Sequence, residues 1–167
     1  KMNASFQKSF ITKYYGKTNL FVTASYTDKL LPMWGMHAFN SGNNKEYVYS
    51  MNSFSTMPFN EYYASSHLSM FLNHNFGKLI VRSKNFEPEF VIHQNVCFGW
   101  MKDNQMISNR EIKTPKNGFF ETGLMINNIL NLKLYSMGIG IFYSYGEYSS
   151  KDIYSNIAAK WSLSFPL

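Results

Sequence analysis

Apolar and polar side chains alternate along much of this chain, and the alternation is clearest in its last segment. The odd positions of that segment are apolar: Ile157, Ala159, Trp161, Leu163, Phe165 and Leu167. The even positions are mostly small or polar: Ala158, Lys160, Ser162, Ser164 and Pro166. Successive side chains of a β-strand point to opposite faces of the sheet. The pattern therefore predicts a strand with one apolar face and one polar face.

The same alternation recurs upstream, and together the segments predict about seven strands. Gly138, Gly140 and Gly146 lie in one such segment and argue against a helix there, because glycine disfavours helix interiors. The segments are 9–13 residues long, close to the length that a tilted membrane-barrel strand needs. The predicted strands are residues 4–14, 19–27, 65–76, 88–100, 118–127, 134–146 and 155–167, with a long outer loop at 28–62.

One face of these strands is predicted to contact lipid. Outer-membrane barrel strands alternate apolar side chains facing lipid with polar side chains facing the lumen. The predicted lipid-facing set is Leu68, Leu72, Ile92, Val96, Ile139, Ile141, Trp161 and Leu163. The loop at 28–62 is rich in apolar residues such as those at 47–49, so we expect it either to fold into the lumen or to dock a partner.

Composition supports an apolar wall around a polar interior. Aromatic residues make up 18% of the chain and charged residues only 16%, whereas about 25% of a typical soluble domain is charged. No apolar run approaches the roughly 20 residues of a membrane-spanning helix. We therefore predict an all-β fold, specifically the C-terminal portion of a transmembrane antiparallel outer-membrane β-barrel. Because bacterial barrels have an even number of at least eight strands, missing N-terminal strands or other envelope proteins are expected to complete it.

Charge and cysteine content narrow the classes of function. The formal net charge is +6, but the 16 basic residues are scattered and no two of them are adjacent, so nucleic acid is not an expected partner. The lone Cys97 excludes an internal disulfide framework and a cysteine-rich metal site. We interpret Cys97 as a small side chain that fills space on the inner face.

Several sequence strings from residue 65 onward resemble a known family. They are the stretches Phe71 to Gly77, Phe90 to Gly99, Gly118 to Leu124, Ile126 to Leu130, Gly138 to Gly146 and Trp161 to Phe165. Over residues 65–167 they resemble the C-terminal β-barrel of a Gram-negative outer-membrane protein family of unknown function. Members of that family carry an N-terminal carboxypeptidase-regulatory-like domain. The resemblance implies a location in the bacterial outer membrane and a barrel architecture, and it implies no activity.

One pair of residues is a candidate for catalysis. His67 and Ser69 lie two residues apart on a predicted strand, so they share a face, and a serine beside a histidine can become an activated nucleophile. Outer-membrane phospholipases resemble this pair and add a nearby asparagine, a part that Asn73 or Asn95 would take here. The alternation, however, places the pair on the lumen side, whereas a lipid hydrolase needs it to face lipid. Lumen lining is the favoured interpretation.

Two further groups have competing interpretations. His93, Glu89 and Glu121 point inward and are candidate metal ligands, but zinc needs three or four ligands in close geometry, so ion pairs with Lys160 or Arg110 are favoured. Aromatic residues near predicted strand ends indicate an interfacial girdle, with a carbohydrate platform as the alternative. These aromatic residues are Trp100, Trp161, Tyr143 and Tyr145.

We therefore predict a non-enzymatic outer-membrane barrel without a cofactor, which acts as an anchor, scaffold or passage component of a larger envelope assembly. Its expected partners are outer-membrane lipid and other envelope proteins. The alternatives are a barrel-borne lipid hydrolase that uses His67 and Ser69, and a membrane anchor for an upstream enzyme domain.

Overall fold

The chain folds as an all-β protein. The computed structural model describes residues 1–13, 15–28, 35–42, 46–78, 86–102, 113–132 and 134–165. In chain order the strands are β1 (Met2–Thr12), β2 (Gly16–Tyr26), β3 (His37–Ala38), β4 (Tyr63–Ala64), β5 (Ser66–Lys78), β6 (Glu89–Trp100), β7 (Phe119–Asn131), β8 (Ser136–Tyr145) and β9 (Ile157–Ser164). A short 3₁₀ helix, Ile153–Asn156, precedes β9. Within these ranges, no helix has the length and apolar character needed to cross a membrane.

Seven strands form one antiparallel sheet, in the order β1-β2-β5-β6-β7-β8-β9. The short strands β3 and β4 pair separately with each other. The prediction of an all-β fold with seven antiparallel strands is confirmed. The sheet is open, because in the described ranges β1 pairs only with β2 and no ladder joins β1 to β9.

Several strand boundaries differ from the predicted ones. The last strand begins at Ile157 rather than at residue 155, because the Asp152 side chain accepts a hydrogen bond from the Tyr154 N–H and caps the 3₁₀ helix. The strand predicted at 118–127 continues to Asn131, and the strand predicted at 65–76 continues to Lys78. Residues 14, 166 and 167, predicted to be in strands, lie outside the described ranges.

The two faces of the sheet have opposite character and opposite exposure. The register places all eight predicted lipid-facing residues on one face, which we call the apolar face. Its central side chains are exposed: Leu124 is 56%, Ile139 58% and Ile141 62% exposed. The other face, called the polar face, mixes buried apolar side chains such as Phe71, Phe119 and Phe142 with polar side chains that are at most 4% exposed: Ser69, His93, Asn95, Glu121, Ser144 and Lys160.

The polar face is buried because part of the predicted long loop packs on it. We call residues 35–42 and 46–62 the inserted segment. Phe54 lies at its centre, with ring centroids 5.0 Å from Phe71 of β5 and 5.5 Å from Phe119 of β7. Phe39, Met57 and Tyr62 of the segment join the same buried cluster, together with Cys97 of β6. The segment expected to fold into a lumen or dock a partner thus lies against the polar face of its own sheet.

Candidate functional site

A fully buried carboxylate fastens the inserted segment to the sheet. Glu121 of β7 accepts hydrogen bonds from the Ser55 N–H at 3.1 Å, from the Thr56 N–H at 2.6 Å and from the Thr56 hydroxyl at 2.6 Å. The Asn95 side-chain amide donates a further bond at 2.8 Å. A carboxylate has about four lone-pair positions, so these donors satisfy it. The segment therefore supplies three of the four bonds that make the buried charge tolerable.

A buried lysine fastens the segment at a second point. Lys160 of β9 is 3% exposed, and its Nζ donates to the carbonyl oxygens of Gly42, at 3.1 Å, and Glu46. Of the predicted ion pairing between inward carboxylates and Lys160 or Arg110, the structure shows an electrostatic attraction between Lys160 and Glu121. Lys160 also donates to main-chain carbonyls, and Arg110 lies outside the described ranges.

Main-chain hydrogen bonds make the third attachment, at the outer edge of β9. The Tyr49 N–H donates to the Trp161 carbonyl at 2.8 Å, and the Trp161 N–H donates to the Tyr47 carbonyl at 2.6 Å. Val48 is thereby paired in parallel with Trp161. The Tyr49 ring stacks on Phe142 of β8, with centroids 5.7 Å apart and planes 12° from parallel. The segment thus covers both the polar face and part of the free β9 edge.

The candidate catalytic pair is not hydrogen-bonded together. His67 packs its ring against Phe39 and His37, with centroids 5.0 and 5.5 Å apart. The His67 Nδ1 atom is buried and has no hydrogen-bond partner among the described residues. Ser69 is 4% exposed beneath the inserted segment. The pair shares the polar face, as the alternation predicts, but the geometry gives no activated nucleophile.

The two asparagines considered as orienting groups hydrogen-bond other residues. The Asn73 side-chain oxygen lies 2.6 Å from Nδ1 of His93. Asn95 donates to Glu121 at 2.8 Å. Neither asparagine therefore completes a triad with the serine of the candidate pair.

The three candidate metal ligands likewise form hydrogen bonds with separate partners. Glu89 accepts a bond at 2.7 Å from the Asn75 side chain, near one end of the sheet. Glu121 holds the inserted segment, and His93 bonds Asn73. Within the described ranges, no three His, Cys, Asp or Glu side chains form a group suited to a metal ion. Cys97 is fully buried in the hydrophobic cluster around Phe54, in the space-filling position that we predicted for it.

Aromatic side chains gather at one end of the apolar face. Centroid distances are 6.4 Å for Phe98–Trp100, 5.7 Å for Phe120–Tyr145 and 6.5 Å for Tyr143–Tyr145. We call these five residues the aromatic cluster. The position of Trp161 corrects the prediction that places it near a strand end, because it lies mid-strand in β9 opposite Ile139.

Two pairs of polar side chains on the apolar face bond each other. Gln94 and Thr122 face each other across β6 and β7, and the Thr122 hydroxyl donates to the Gln94 side-chain oxygen at 2.7 Å. Thr18 and His74 do the same across β2 and β5, with Oγ1 and Nδ1 2.7 Å apart. Both pairs satisfy hydrogen-bonding capacity without water.

Fold and site together define an all-β protein with an open antiparallel sheet, whose polar face is covered by a segment of the same chain. Comparisons with protein-family models, with curated proteins and with solved structures find no match to this chain. The sequence reasoning missed the roles of Ser55 and Thr56. The sequence did carry one signal. Glu121 lies on a strand face made otherwise of small or apolar residues, so it needs hydrogen-bond donors from elsewhere in the chain.

Proposed function

We propose that this chain forms part of the wall of a bacterial outer-membrane β-barrel and acts, without catalysis, as an anchor or scaffold in a larger envelope assembly. The observation that carries the proposal is the exposure of the apolar face of the sheet. A sheet in water buries its apolar face and exposes its polar one. Here Leu124, Ile139 and Ile141 are more than half exposed, while Glu121 on the opposite face is fully buried. Lipid chains would solvate such a surface.

The height of the apolar face supports the same proposal. From Phe90 to Trp100, β6 advances by ten residues, or about 33 Å of strand. A strand tilted by about 40° would then span about 25 Å along the membrane normal, which is the height of the apolar band of outer-membrane barrels. The aromatic cluster lies at one limit of this band, where amphipathic rings are favoured by the headgroup region.

The paired polar groups on the apolar face also fit a lipid environment. An unpaired polar group in hydrocarbon costs several kcal/mol, because no water is present to bond it. Gln94 with Thr122, and Thr18 with His74, avoid that cost by bonding each other. A water-exposed surface imposes no such requirement.

The inserted segment favours an anchor or scaffold over an open passage. It is attached through Glu121, through Lys160 and along the β9 edge, and it fills the space above the polar face. The outer edge of β1 pairs with no strand of the described ranges, and its eleven side chains are all exposed, so further strands or envelope proteins would pair there. Unpaired strand edges are not tolerated in hydrocarbon. Proteoliposome conductance separates the two roles, and we expect no steady open-channel current.

Spin-label accessibility tests the membrane proposal. Single cysteines at Ile139 and Ile141 would carry nitroxides on the apolar face of the chain reconstituted in lipid vesicles. Cys97 is fully buried and so does not compete for the label. We expect high accessibility to oxygen, which partitions into lipid, and low accessibility to a water-soluble nickel chelate.

A label at Tyr154, which is 85% exposed in the 3₁₀ helix outside the sheet, is the matched control and should show the reverse. If the Ile139 and Ile141 labels meet the nickel chelate as readily as the Tyr154 label does, the membrane proposal is wrong.

A further inference from the structure

A cavity of about 300 Å³ lies between the inserted segment and the first strands of the sheet. Strands β1, β2 and β5 contribute lining residues from the sheet, and β3 and Asn40 contribute them from the inserted segment. Eight of the eleven lining residues carry amide, hydroxyl or imidazole groups. None of these eleven described residues is an aspartate, glutamate, lysine or arginine. The cavity is therefore lined by polar groups without formal charge.

Two deeply buried side chains keep hydrogen-bonding capacity open to this cavity. Ser69 of β5 is 4% exposed, and its hydroxyl bonds no other residue of the described ranges. His37 of β3 is 7% exposed, and its Nε2 atom lies 2.9 Å from the Thr27 hydroxyl. No described residue bonds its Nδ1 atom. Both the Ser69 Oγ and the His37 Nδ1 retain accessible surface where they line the cavity. Because buried polar groups are normally paired, these two atoms point to a bonding partner from outside the chain.

The lining favours a neutral ligand that is rich in hydroxyl groups. An ion in this cavity would lose its water without meeting an opposite charge, which is costly. A cation is disfavoured further, because the positive charge of the Lys1 side chain acts on His37. A hydroxyl group both donates and accepts, so it can bond the Ser69 hydroxyl and the His37 Nδ1 in either tautomer of the ring. An apolar ligand would leave both atoms unpaired.

We propose that this cavity binds a neutral saccharide unit of one sugar ring. Small-molecule sites have volumes of about 300–1,000 Å³, and the cavity lies at the lower end of that range. Phe71 lines the cavity and offers an apolar contact for the C–H groups of the ring, while Asn3 and Asn40 supply further amides for its hydroxyls. The site is independent of the membrane proposal, because it uses only contacts between the inserted segment and the sheet.

Saturation-transfer NMR of the folded chain with glucose, galactose and mannose tests the site. The chain is kept in a detergent without a sugar headgroup, so that the detergent does not compete for the cavity. We expect at least one of these sugars to bind with a dissociation constant of about 1 mM, the strength that a small polar ligand reaches. Glucuronate, a sugar of similar size with a carboxylate, should bind about tenfold more weakly than the best neutral sugar, because its charge meets no counter-charge.

Replacing the unpaired serine separates binding from folding. Ser69→Ala removes a hydroxyl that bonds nothing in the described ranges, so the unfolding free energy should not fall. Sugar binding should weaken about fivefold, through the loss of one hydrogen bond. Ser144→Ala is the matched control. Ser144 is also 4% exposed on the polar face but does not line the cavity, so this variant should bind as wild type does.

A second variant blocks the cavity from its exposed side. Ser5 lines the cavity from β1, where every side chain is exposed. Ser5→Trp should therefore fold normally and abolish sugar binding. The proposal is wrong if none of the three neutral sugars binds, which would mean that the cavity takes up water alone. It is equally wrong if Ser69→Ala or Ser5→Trp binds as wild type does, or if glucuronate binds as tightly as the best neutral sugar.

Discussion

The Glu121 carboxylate takes three of its four hydrogen bonds from Ser55 and Thr56, more than sixty residues earlier in the chain. Each of those donors is buried, so each needs an acceptor. One side chain thereby determines where the turn at Ser55 lies on the sheet. The alternation indicates that Glu121 points inward. It does not identify the donors, because they lie in a segment without periodicity.

Replacing Glu121 by Gln should release this turn. The glutamine side chain keeps one oxygen acceptor but replaces the other with an NH2 group, so either the Ser55 N–H or the Thr56 N–H faces a donor and is left unpaired. We expect the free energy of unfolding to fall by about 2–4 kcal/mol, as measured by denaturant titration in detergent micelles. Limited proteolysis should then cut within residues 46–62 sooner than in wild type.

The control for this change is Glu147→Gln, in an exposed carboxylate that bonds Asn117 at 2.6 Å. It should alter the unfolding free energy by about 0.5 kcal/mol or less. Equal effects of the two replacements would contradict the role that we assign to Glu121.

A single substitution on the apolar face tests whether lipid or water surrounds that face. Ile141 is 62% exposed, so an arginine there would cost less than about 0.5 kcal/mol in water. In a bilayer, an arginine near mid-membrane costs about 2–4 kcal/mol. We expect the larger loss for Ile141→Arg when folding is titrated in lipid vesicles.

Tyr154→Arg, placed outside the sheet, should leave the same titration unchanged. If Ile141→Arg proved as stable as wild type, the apolar face would not be facing lipid.

At the scale of elements, strands with period-two alternation were predictable and the inserted segment was not. Side-chain character alternates along the long strands because their two faces meet different surroundings, so every second residue faces the same environment. Phe54 and Met57 of the inserted segment pack without a repeating backbone geometry, so no period marks them. The 3₁₀ helix before β9 depends on the Asp152 cap, a local side-chain bond that the alternation does not reveal.

A disulfide would test the position of the inserted segment along β9. Neighbouring strands lie about 4.8 Å apart, which is within the Cα separation that a disulfide spans. Cysteines at Val48 and Trp161, which are paired in the structure, should therefore oxidise to an intramolecular bond, visible as a mobility shift on a non-reducing gel.

The control keeps the cysteine at Val48 and places the second one at Ile157, four residues before Trp161 in β9. That position lies roughly 13 Å away along the strand, and no cross-link should form. Equal cross-linking of both pairs would mean that the segment is not held in this register.

At the scale of the whole molecule, the open sheet predicts a gradient of stability from its centre to β1. The central strands β5 to β8 each pair on both sides, whereas β1 pairs only with β2 in the described ranges and all its side chains are exposed. Every second amide of an edge strand lacks a partner. We expect β1 amides to exchange hydrogen fastest when the chain is studied alone in detergent.

Hydrogen exchange followed by mass spectrometry or NMR should show the slowest amides in β6 and β7. If further strands pair with β1 as proposed, its amides should become protected. Uniform protection of β1 and β6 in the isolated chain would contradict the open sheet.

The main-chain bonds between Trp161 and residues 47–49 have a consequence for how such a sheet is joined to others. Unpaired strand edges pair with other chains and lead to aggregation. Residues 47–49 protect part of the β9 edge from such pairing. An incoming strand that pairs along all of β9 must first displace Val48 and its neighbours, in a stepwise strand exchange that starts from the uncovered part of the edge. Pairing of a new strand along β9 and release of residues 47–49 are therefore a single coupled event.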